Sequence, residues 1–258
     1  MNITLYGLHA VITGASSGLG FTMAEALLGK GATVALSARP GEKLDNAVNT
    51  LREKSLDAYA LPMDVRSEES IVEAVSWVRE GWKRIDLLVN NAALMMHRIY
   101  PDFLTSPKPF YEIHPDVFRD MVDTNLTGYF LVSKEFVPMM IYQNKGRIVN
   151  ISTSFSTMNR FAPYGPSRAG SEALSNIMTA ELKKYGITVN VLLPGGAVDT
   201  GGLSKDMNNE LPFALLSPDI MADPIVFLAS PLAEGMTGER LIAKEFDEWL
   251  RIKGISFR

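Results

Sequence analysis

The amino-acid sequence contains no cysteine and only three histidines among its 258 residues. Without cysteine the chain can form no disulfide bond and perform no thiolate chemistry. The histidines are His9, His97 and His114, and their spacing matches neither HExxH nor a similar metal-binding pattern. The sequence therefore predicts no structural or catalytic zinc site.

Long apolar runs and an excess of positive charge are also missing. No apolar run reaches the roughly 18 residues that suggest a membrane-spanning helix, and residues 1–8 lack the charged and then apolar pattern of a signal peptide. The formal net charge is -4, so nothing predicts attraction to nucleic acid or to an anionic membrane. We therefore expect a soluble cytoplasmic protein with neither of these partners.

Short apolar runs alternate with longer amphipathic stretches along the chain. With 47% hydrophobic residues the sequence can bury one large core, and no linker rich in Pro, Gly or Ser divides it. The predicted strands are His9–Thr13, Thr33–Ser37, Ala58–Pro62, Ile85–Val89, Gly146–Ile151, Thr188–Leu193 and Arg240–Ala243. The predicted helices are Gly18–Leu28, Glu42–Glu53, Glu68–Trp82, Pro115–Tyr142, Tyr164–Tyr185, Pro218–Leu228 and Phe246–Ile252. This alternation predicts an α/β fold, a doubly wound parallel sheet with helices on both faces, in a single domain over residues 1–258.

Two long irregular stretches, Leu94–His114 and Gly195–Ser217, each follow the C-terminal end of a predicted strand. Ligands bind at this edge of open α/β sheets, and loops of this length inside a compact domain are usually functional or mobile. We therefore expect the ligand site to lie beside these two stretches.

A glycine-rich turn joins the first predicted strand to the first predicted helix. It reads Gly14-Ala-Ser-Ser-Gly18-Leu-Gly20, which is G-x-x-x-G-x-G. Glycines let the backbone turn tightly and approach a phosphate, and the helix N-terminus favours an anion. No Lys-Ser/Thr pair follows, so a P-loop of the NTPase type is disfavoured. An ordinary tight turn remains the alternative, but the position between strand and helix favours a nucleotide.

Tyr164 and Arg168 are four residues apart at the start of a predicted helix. Residues at i and i+4 share one helix face, so a phenol and a fixed cation project into the same space. A nearby positive charge lowers the pKa of a tyrosine. This pair is therefore a candidate for proton transfer near neutral pH.

The pair resembles the Tyr-x-x-x-Lys motif of the short-chain dehydrogenase/reductase family, with arginine in the place of lysine. Other segments resemble family motifs in the same order along nearly the whole chain. They are Met63-Asp64-Val65, Asn90-Asn91-Ala92-Ala93, Asp123–Gly128 with Asn125, Gly146–Ser154 and Pro194–Thr200. Singly, Asp64 is also explained as a helix N-cap and the asparagines as a loop. Together the motifs are specific.

The resemblance implies a Rossmann-type, seven-stranded fold that binds a nicotinamide dinucleotide. An acidic residue at the end of the second strand would select NAD, but Ala38 stands there and Arg39 follows, suited to a 2′-phosphate. We therefore predict NADP(H) as the preferred cofactor, with NAD(H) possible. The implied cofactor-binding residues are Gly14, Ser16, Ser17, Gly18, Leu19, Gly20, Ala38, Arg39, Asp64, Val65, Asn91, Ala92, Ala93, Tyr164, Arg168, Pro194, Gly195, Ala197 and Val198.

The chemistry that the resemblance implies is hydride transfer between the nicotinamide and a carbonyl or alcohol carbon. Tyr164 would donate or accept the proton, Asn125 would hold a relay water, and Arg168 would hold the nicotinamide ribose. A hydroxyl at Thr153 or Ser154 would orient the substrate oxygen. Thr153 aligns with the family serine, but the interval to Tyr164 is shorter than usual, so both remain candidates. Arginine cannot readily give up a proton, so a relay through residue 168 would be interrupted.

The resemblance also implies a small-molecule carbonyl or alcohol substrate and a homodimer or homotetramer that pairs through the helices Pro115–Tyr142 and Tyr164–Tyr185. The stretch Leu94–His114 is expected to form either a substrate wall, with Arg98 or Lys108 meeting an anionic group, or a subunit contact or surface loop. The alternative function is an NADP(H)-binding protein with little or no turnover. A reductase of imines or activated alkenes is a third possibility.

Overall fold

The sheet of this protein has seven parallel strands in the order β3-β2-β1-β4-β5-β6-β7. The structure is a computed structural model that describes residues 3–96, 100, 103, 106–199 and 214–257. The strands are β1 (His9–Thr13), β2 (Thr33–Ala38), β3 (Ala58–Pro62), β4 (Leu87–Asn90), β5 (Gly146–Ile151), β6 (Ile187–Leu193) and β7 (Arg240–Ile242). The predicted fold class, a doubly wound parallel sheet of one domain, is thereby confirmed.

Nine α-helices lie within the described ranges. They are α1 (Gly18–Leu28), α2 (Glu42–Glu53), α3 (Glu68–Gly81), α4 (Pro115–Val122), α5 (Gly128–Gln143), α6 (Phe155–Met158), α7 (Tyr164–Leu182), α8 (Ala222–Ala229) and α9 (Phe246–Lys253). A π-helical turn, Asp123–Thr127, separates α4 from α5. Within the described part of the chain, no helix is long and apolar enough to cross a membrane.

The two faces of the sheet carry separate hydrophobic cores. Side chains along a strand point alternately to opposite faces, so Ala10 and Ile12 of β1 pack with α1, α2, α8 and α9. Val11, between them, packs on the other face with α3, α5 and α7. Both faces of the strands are therefore apolar, as expected of a parallel sheet covered by helices on both sides.

Three element boundaries differ from the sequence prediction for identifiable reasons. Ile85 precedes β4 because the side-chain amide of Gln143 donates to its carbonyl oxygen at 2.8 Å and accepts from its N–H at 2.9 Å. The predicted helix Pro115–Tyr142 is interrupted by the π-helical turn. The segment after β5, for which no helix was predicted, contains the four-residue helix α6.

The direction in which successive strands are added to the sheet reverses at β1, which lies between β2 and β4. At such a switch point, the loops beyond the carboxyl ends of the strands diverge and leave a crevice. The turns that follow β1, β2, β4, β5 and β6 all open onto this edge.

Candidate active site

The turn between β1 and α1 has the backbone geometry that its glycines predict. Gly14 and Gly18 have φ angles of +65° and +58°, in the left-handed region that favours glycine. At Gly20 an added Cβ would lie 2.5 Å from the Gly14 carbonyl oxygen and 2.6 Å from the Asn91 side-chain nitrogen. A side chain at this position would therefore push α1 away from the turn.

Asn91 braces this turn from the end of β4. Its side-chain nitrogen donates to the carbonyl oxygens of Thr13 at 2.9 Å and Gly14 at 3.1 Å. The backbone N–H groups of Asn91 and Ala92 donate to the Thr13 hydroxyl at 2.9 and 3.0 Å. Asn91 and Ala92 of the Asn-Asn-Ala-Ala motif therefore shape the turn by holding its backbone.

The N-terminus of α1 fits a diphosphate. Ser17 is the N-cap residue and is exposed, and its side chain makes no capping hydrogen bond. The N–H groups of the first turn are therefore left for another acceptor. Ser16 and Leu19 are half-buried on either side. An anion placed here would meet serine hydroxyls, backbone donors and the positive end of the helix dipole.

The crevice beside the ends of β2 and β3 carries two arginines around one carboxylate. Arg39 is exposed directly after β2, whose last residue is Ala38. Arg66 donates to Asp64 through Nε at 3.3 Å and Nη2 at 3.2 Å, and through its backbone N–H at 3.0 Å. Burial alone would raise the pKa of Asp64, but these hydrogen bonds and the charges of Arg66 and Arg39 hold that pKa below its usual value. Arg66 was missed in the sequence, although a basic residue two positions after the aspartate was a visible signal.

Tyr164 and Arg168 lie together on the buried face of α7. The Arg168 guanidinium carbon is 5.2 Å from the centre of the Tyr164 ring. Tyr164 is 7% exposed and packs with Met96, Met121 and Phe161. The shared helix face expected from the four-residue spacing is therefore present.

Arg168 is more deeply enclosed than the sequence suggested. It is 2% exposed, and its Nη1 donates to the Tyr129 hydroxyl and to the Ile151 carbonyl oxygen, both at 2.8 Å. Burial alone would lower its pKa, but the neighbouring Tyr129 and Tyr164 oxygens outweigh burial, and the pKa is raised above its ordinary value. Arg168 therefore stays a cation and does not deliver a proton.

The hydroxyls after β5 have different surroundings. The Ser154 hydroxyl caps α6, accepting from the Thr157 N–H at 3.2 Å and contacting the Thr157 and Ser156 hydroxyls at 2.9 and 2.8 Å. Among the described residues, the half-buried Thr153 is hydrogen-bonded only through its backbone carbonyl, and its hydroxyl has no partner. The hydroxyl of Ser152, which is not among the predicted site residues, is buried and also has no hydrogen-bond partner within the described ranges. Ser154 is therefore engaged in local structure, whereas Thr153 remains available.

Asn125 lies in the π-helical turn and is fully buried. Its side-chain oxygen accepts from the Leu94 N–H at 2.7 Å, and its side-chain nitrogen donates to the Leu94 carbonyl oxygen at 3.2 Å and the Ser167 hydroxyl at 3.2 Å. Single π-helical turns inside α-helices often occur at functional sites. The Asn125 side chain positions the start of the loop after β4, a contact the sequence did not indicate.

The Pro-Gly segment after β6 turns back beside β7. The buried Pro194 accepts from the Lys244 N–H at 3.1 Å, and Gly195 has a φ of +90°. Beyond it, Ala197 accepts from the Leu216 N–H at 2.8 Å, and Val198 forms a bridge with Leu216. Thr200, His97 and Arg98 lie outside the described residues.

A tight contact joins α6 to the start of α7. A Cβ added at Gly165 would lie 1.8 Å from the Met158 carbonyl oxygen. Only glycine at this position lets the short connection from Thr153 to Tyr164 close over the first turn of α7. The short interval between Thr153 and Tyr164 is therefore accommodated by this close contact of α6 with the first turn of α7.

Comparison with known proteins matches this architecture to one family. The family sequence model described as short chain dehydrogenase matches residues 8–210. The uncharacterized oxidoreductase YxjF of Bacillus subtilis is 33% identical, with 90% of this chain and 95% of that protein covered. The 3-oxoacyl-[acyl-carrier-protein] reductase FabG of Aquifex aeolicus is 30% identical, with coverages of 93% and 96%. The crystal structure of a gluconate 5-dehydrogenase from Burkholderia cenocepacia with NADP and tartrate matches at a TM-score of 0.78 and 26% identity, covering 93% of this chain and 94% of the other.

Proposed function

Because the chain belongs to the short-chain dehydrogenase family of oxidoreductases, we propose that it transfers a hydride between NADP(H) and a small carbonyl or alcohol substrate. In this proposal Tyr164 is the proton donor or acceptor. The observation that carries it is the placement of the Arg168 guanidinium 5.2 Å from the Tyr164 ring, at the sheet edge where the glycine turn also opens.

The cofactor would lie across the switch point. The α1 N-terminus with Ser16 and Ser17 suits the diphosphate, Asp64 and Val65 the adenine, and Arg39 the 2′-phosphate. The Pro194–Val198 segment and Ala93 would flank the nicotinamide. When bound, the nicotinamide supplies or accepts the hydride, and the protein orients the reactants and moves the proton.

Tyr164 would act on the substrate oxygen, protonating it during reduction or taking its proton during oxidation. The cation at Arg168 stabilises negative charge that develops at the nearby oxygens during this transfer. Thr153, whose hydroxyl has no partner among the described residues, would hydrogen-bond the same substrate oxygen. The proton is replenished without passing through Arg168, because a guanidinium does not release one.

The activities for which the related proteins are named indicate only a broad class of substrate. The relatives include a reductase of 3-oxoacyl groups and a gluconate 5-dehydrogenase. A test panel should therefore contain β-keto thioesters, keto acids and polyols, with an imine and an activated alkene to cover the wider chemistry. We further propose that the protein assembles as a homodimer or homotetramer through α5 and α7.

The test is single-turnover oxidation of NADPH with this panel, in the wild-type protein and in Tyr164→Phe. We expect the variant to bind NADPH normally but to transfer hydride at least about a hundredfold more slowly, as for the loss of a general acid. Tyr142→Phe is the matched control, because Tyr142 is 89% exposed on α5.

Three outcomes separate the alternatives. A Tyr164→Phe rate equal to wild type would defeat the proposed role of the phenol. NADPH binding without turnover on any member of the panel would favour a nucleotide-binding protein. Loss of NADPH binding in Tyr164→Phe would indicate either that the phenol also holds the cofactor or that the fold is disturbed, and a thermal unfolding measurement on the variant would distinguish the two.

A further inference from the structure

Tyr129, the second residue of α5, takes part in a buried triangle of hydrogen bonds with Arg168 and the end of β5. Arg168 Nη1 donates to the Tyr129 hydroxyl at 2.8 Å and to the Ile151 carbonyl oxygen at 2.8 Å. The Tyr129 hydroxyl donates to the same carbonyl oxygen at 3.1 Å. Tyr129 is 1% exposed, so water does not replace these bonds easily.

The donor directions in this triangle are fixed by chemistry. A guanidinium can only donate, so the Tyr129 oxygen accepts from Arg168 and its single hydrogen goes to Ile151. The carbonyl of Ile151 then receives two donors, and each group is satisfied only while the other two stay in place. Burial raises the pKa of the Tyr129 phenol, and the nearby Arg168 charge offsets this only in part. The hydroxyl hydrogen is therefore retained.

The triangle determines where the rest of the guanidinium lies. The group is planar and rigid, so a fixed Nη1 also sets the direction of the other nitrogens. Its central carbon is 5.7 Å from the Tyr129 ring centre and 5.2 Å from the Tyr164 ring centre, which places the cation between two phenols. Its Nε is buried and has no partner within the described ranges, so no other bond from that nitrogen competes in setting the orientation.

Arginine suits this arrangement better than lysine would. Its five donors are spread over three nitrogens, so one nitrogen can bond Tyr129 and Ile151 while the others face elsewhere. An ammonium concentrates all its donors at one point. A lysine at residue 168 could therefore either donate to the end of β5 or direct its ammonium group toward Tyr164, but not both.

We propose that Tyr129 is a positioning residue of the reaction, whose hydroxyl holds the Arg168 guanidinium in register with Tyr164. This role rests on the proposed function and extends it to a residue that does not touch the substrate. It also couples the end of β5, which leads directly to Thr153, to the cation beside the proton donor.

The test is a double-mutant cycle with Tyr129→Phe and Arg168→Met. Tyr129→Phe removes only the hydroxyl, and we expect single-turnover hydride transfer to slow about tenfold, as for the loss of a hydrogen bond to a charged group, with KM for the substrate unchanged. In the Arg168→Met background the same change should alter the rate less than about twofold, because residues in one network are not additive. Tyr59→Phe is the control, since this partly buried phenol on β3 packs with Trp77 and Trp82 instead.

Urea unfolding of the same four proteins gives a readout independent of turnover. Contact between the hydroxyl and the guanidinium predicts that the two substitutions are non-additive in stability as well as in rate. Equal rate losses in both backgrounds, or an unchanged Tyr129→Phe rate, would overturn the positioning role while leaving the role of Tyr164 intact. A wild-type protein that transfers no hydride would overturn the proposed function, and this role with it.

Discussion

At the residue scale, the proposed preference for NADP(H) depends on the charges beside the end of β2. Asp64 is already engaged by three hydrogen bonds from Arg66. Its negative charge is thus largely balanced before any cofactor binds. Arg39 lies on the exposed side of the same cluster, and its charge contributes to holding the pKa of Asp64 low. The two arginines and one carboxylate leave an excess of positive charge, which favours a 2′-phosphate over a hydroxyl.

We expect Arg39→Ala to raise KM for NADPH by about tenfold or more, because a charge-assisted hydrogen bond contributes roughly 1.5–3 kcal/mol. KM for NADH should change little, since NADH has no 2′-phosphate. Steady-state kinetics with both cofactors measures the difference, and Arg79→Ala, an exposed arginine on α3, is the control. An unchanged KM for NADPH, or an equal rise for NADH, would contradict the assignment.

Residue contacts were predictable from the sequence only where the partners are close in the chain. Tyr164 and Arg168 share a face because they are four residues apart on one helix, and the structure places them together. Tyr129 lies 39 residues before Arg168, and Arg240 donates to the Thr153 carbonyl oxygen from 87 residues away. No local pattern encodes such contacts, because the sheet topology brings these residues together.

At the scale of one element, helix α6 gives the two candidate hydroxyls different surroundings. It is only four residues long, and the Ser154 side chain caps it by accepting from the Thr157 N–H. Short helices have little stability of their own, so this cap and the contact of Met158 with Gly165 hold the helix in place. Arg240, paired with Glu172 of α7 at 2.9 Å, fixes the Thr153 carbonyl at 2.8 Å from the other side. The backbone is therefore held on both sides of the Thr153 hydroxyl.

We expect Ser154→Ala to lower the free energy of unfolding by about 1 kcal/mol, the usual effect of losing an N-cap, with little change in hydride transfer. Thr153→Val should do the opposite, slowing hydride transfer about tenfold or more through loss of a hydrogen bond to the developing charge while leaving stability nearly unchanged. Urea unfolding and single-turnover kinetics on both variants provide the comparison. The reverse pattern would assign the substrate oxygen to Ser154.

Element boundaries were wrong where a side chain competes with the backbone. Hydrophobic periodicity placed all seven strands, but it could not show that Gln143 replaces a neighbouring strand at Ile85. The same periodicity runs unbroken through Asp123–Thr127, yet Asn125 turns inward to bond Leu94 and the helix widens there. Both departures depend on tertiary hydrogen bonds, which apolar spacing does not report.

At the scale of the whole molecule, α5 and α7 offer a candidate association surface. Each packs one side on the sheet and leaves large apolar side chains exposed on the other. Phe130 is 47% exposed on α5, and Ile177 is 55% exposed on α7. Between turns of α7 the exposed positions Ala169, Ala173 and Ala180 are small, which permits close approach of another helix. Exposed apolar groups on adjoining elements are typical of an association surface.

We therefore expect a particle of two or four times the 28.4 kDa chain mass in solution, and we expect Ile177→Glu to shift it toward the monomer. A carboxylate buried at a subunit interface without a partner is strongly unfavourable. Light scattering after gel filtration measures the mass. Ile252→Glu is the matched control, because Ile252 is 69% exposed on α9 and lies on an element outside the proposed contact. A monomeric wild type, or equal dissociation of the Ile177→Glu and Ile252→Glu variants, would show that α7 is not the subunit contact. The small exposed residues of α7 would then not be explained by assembly.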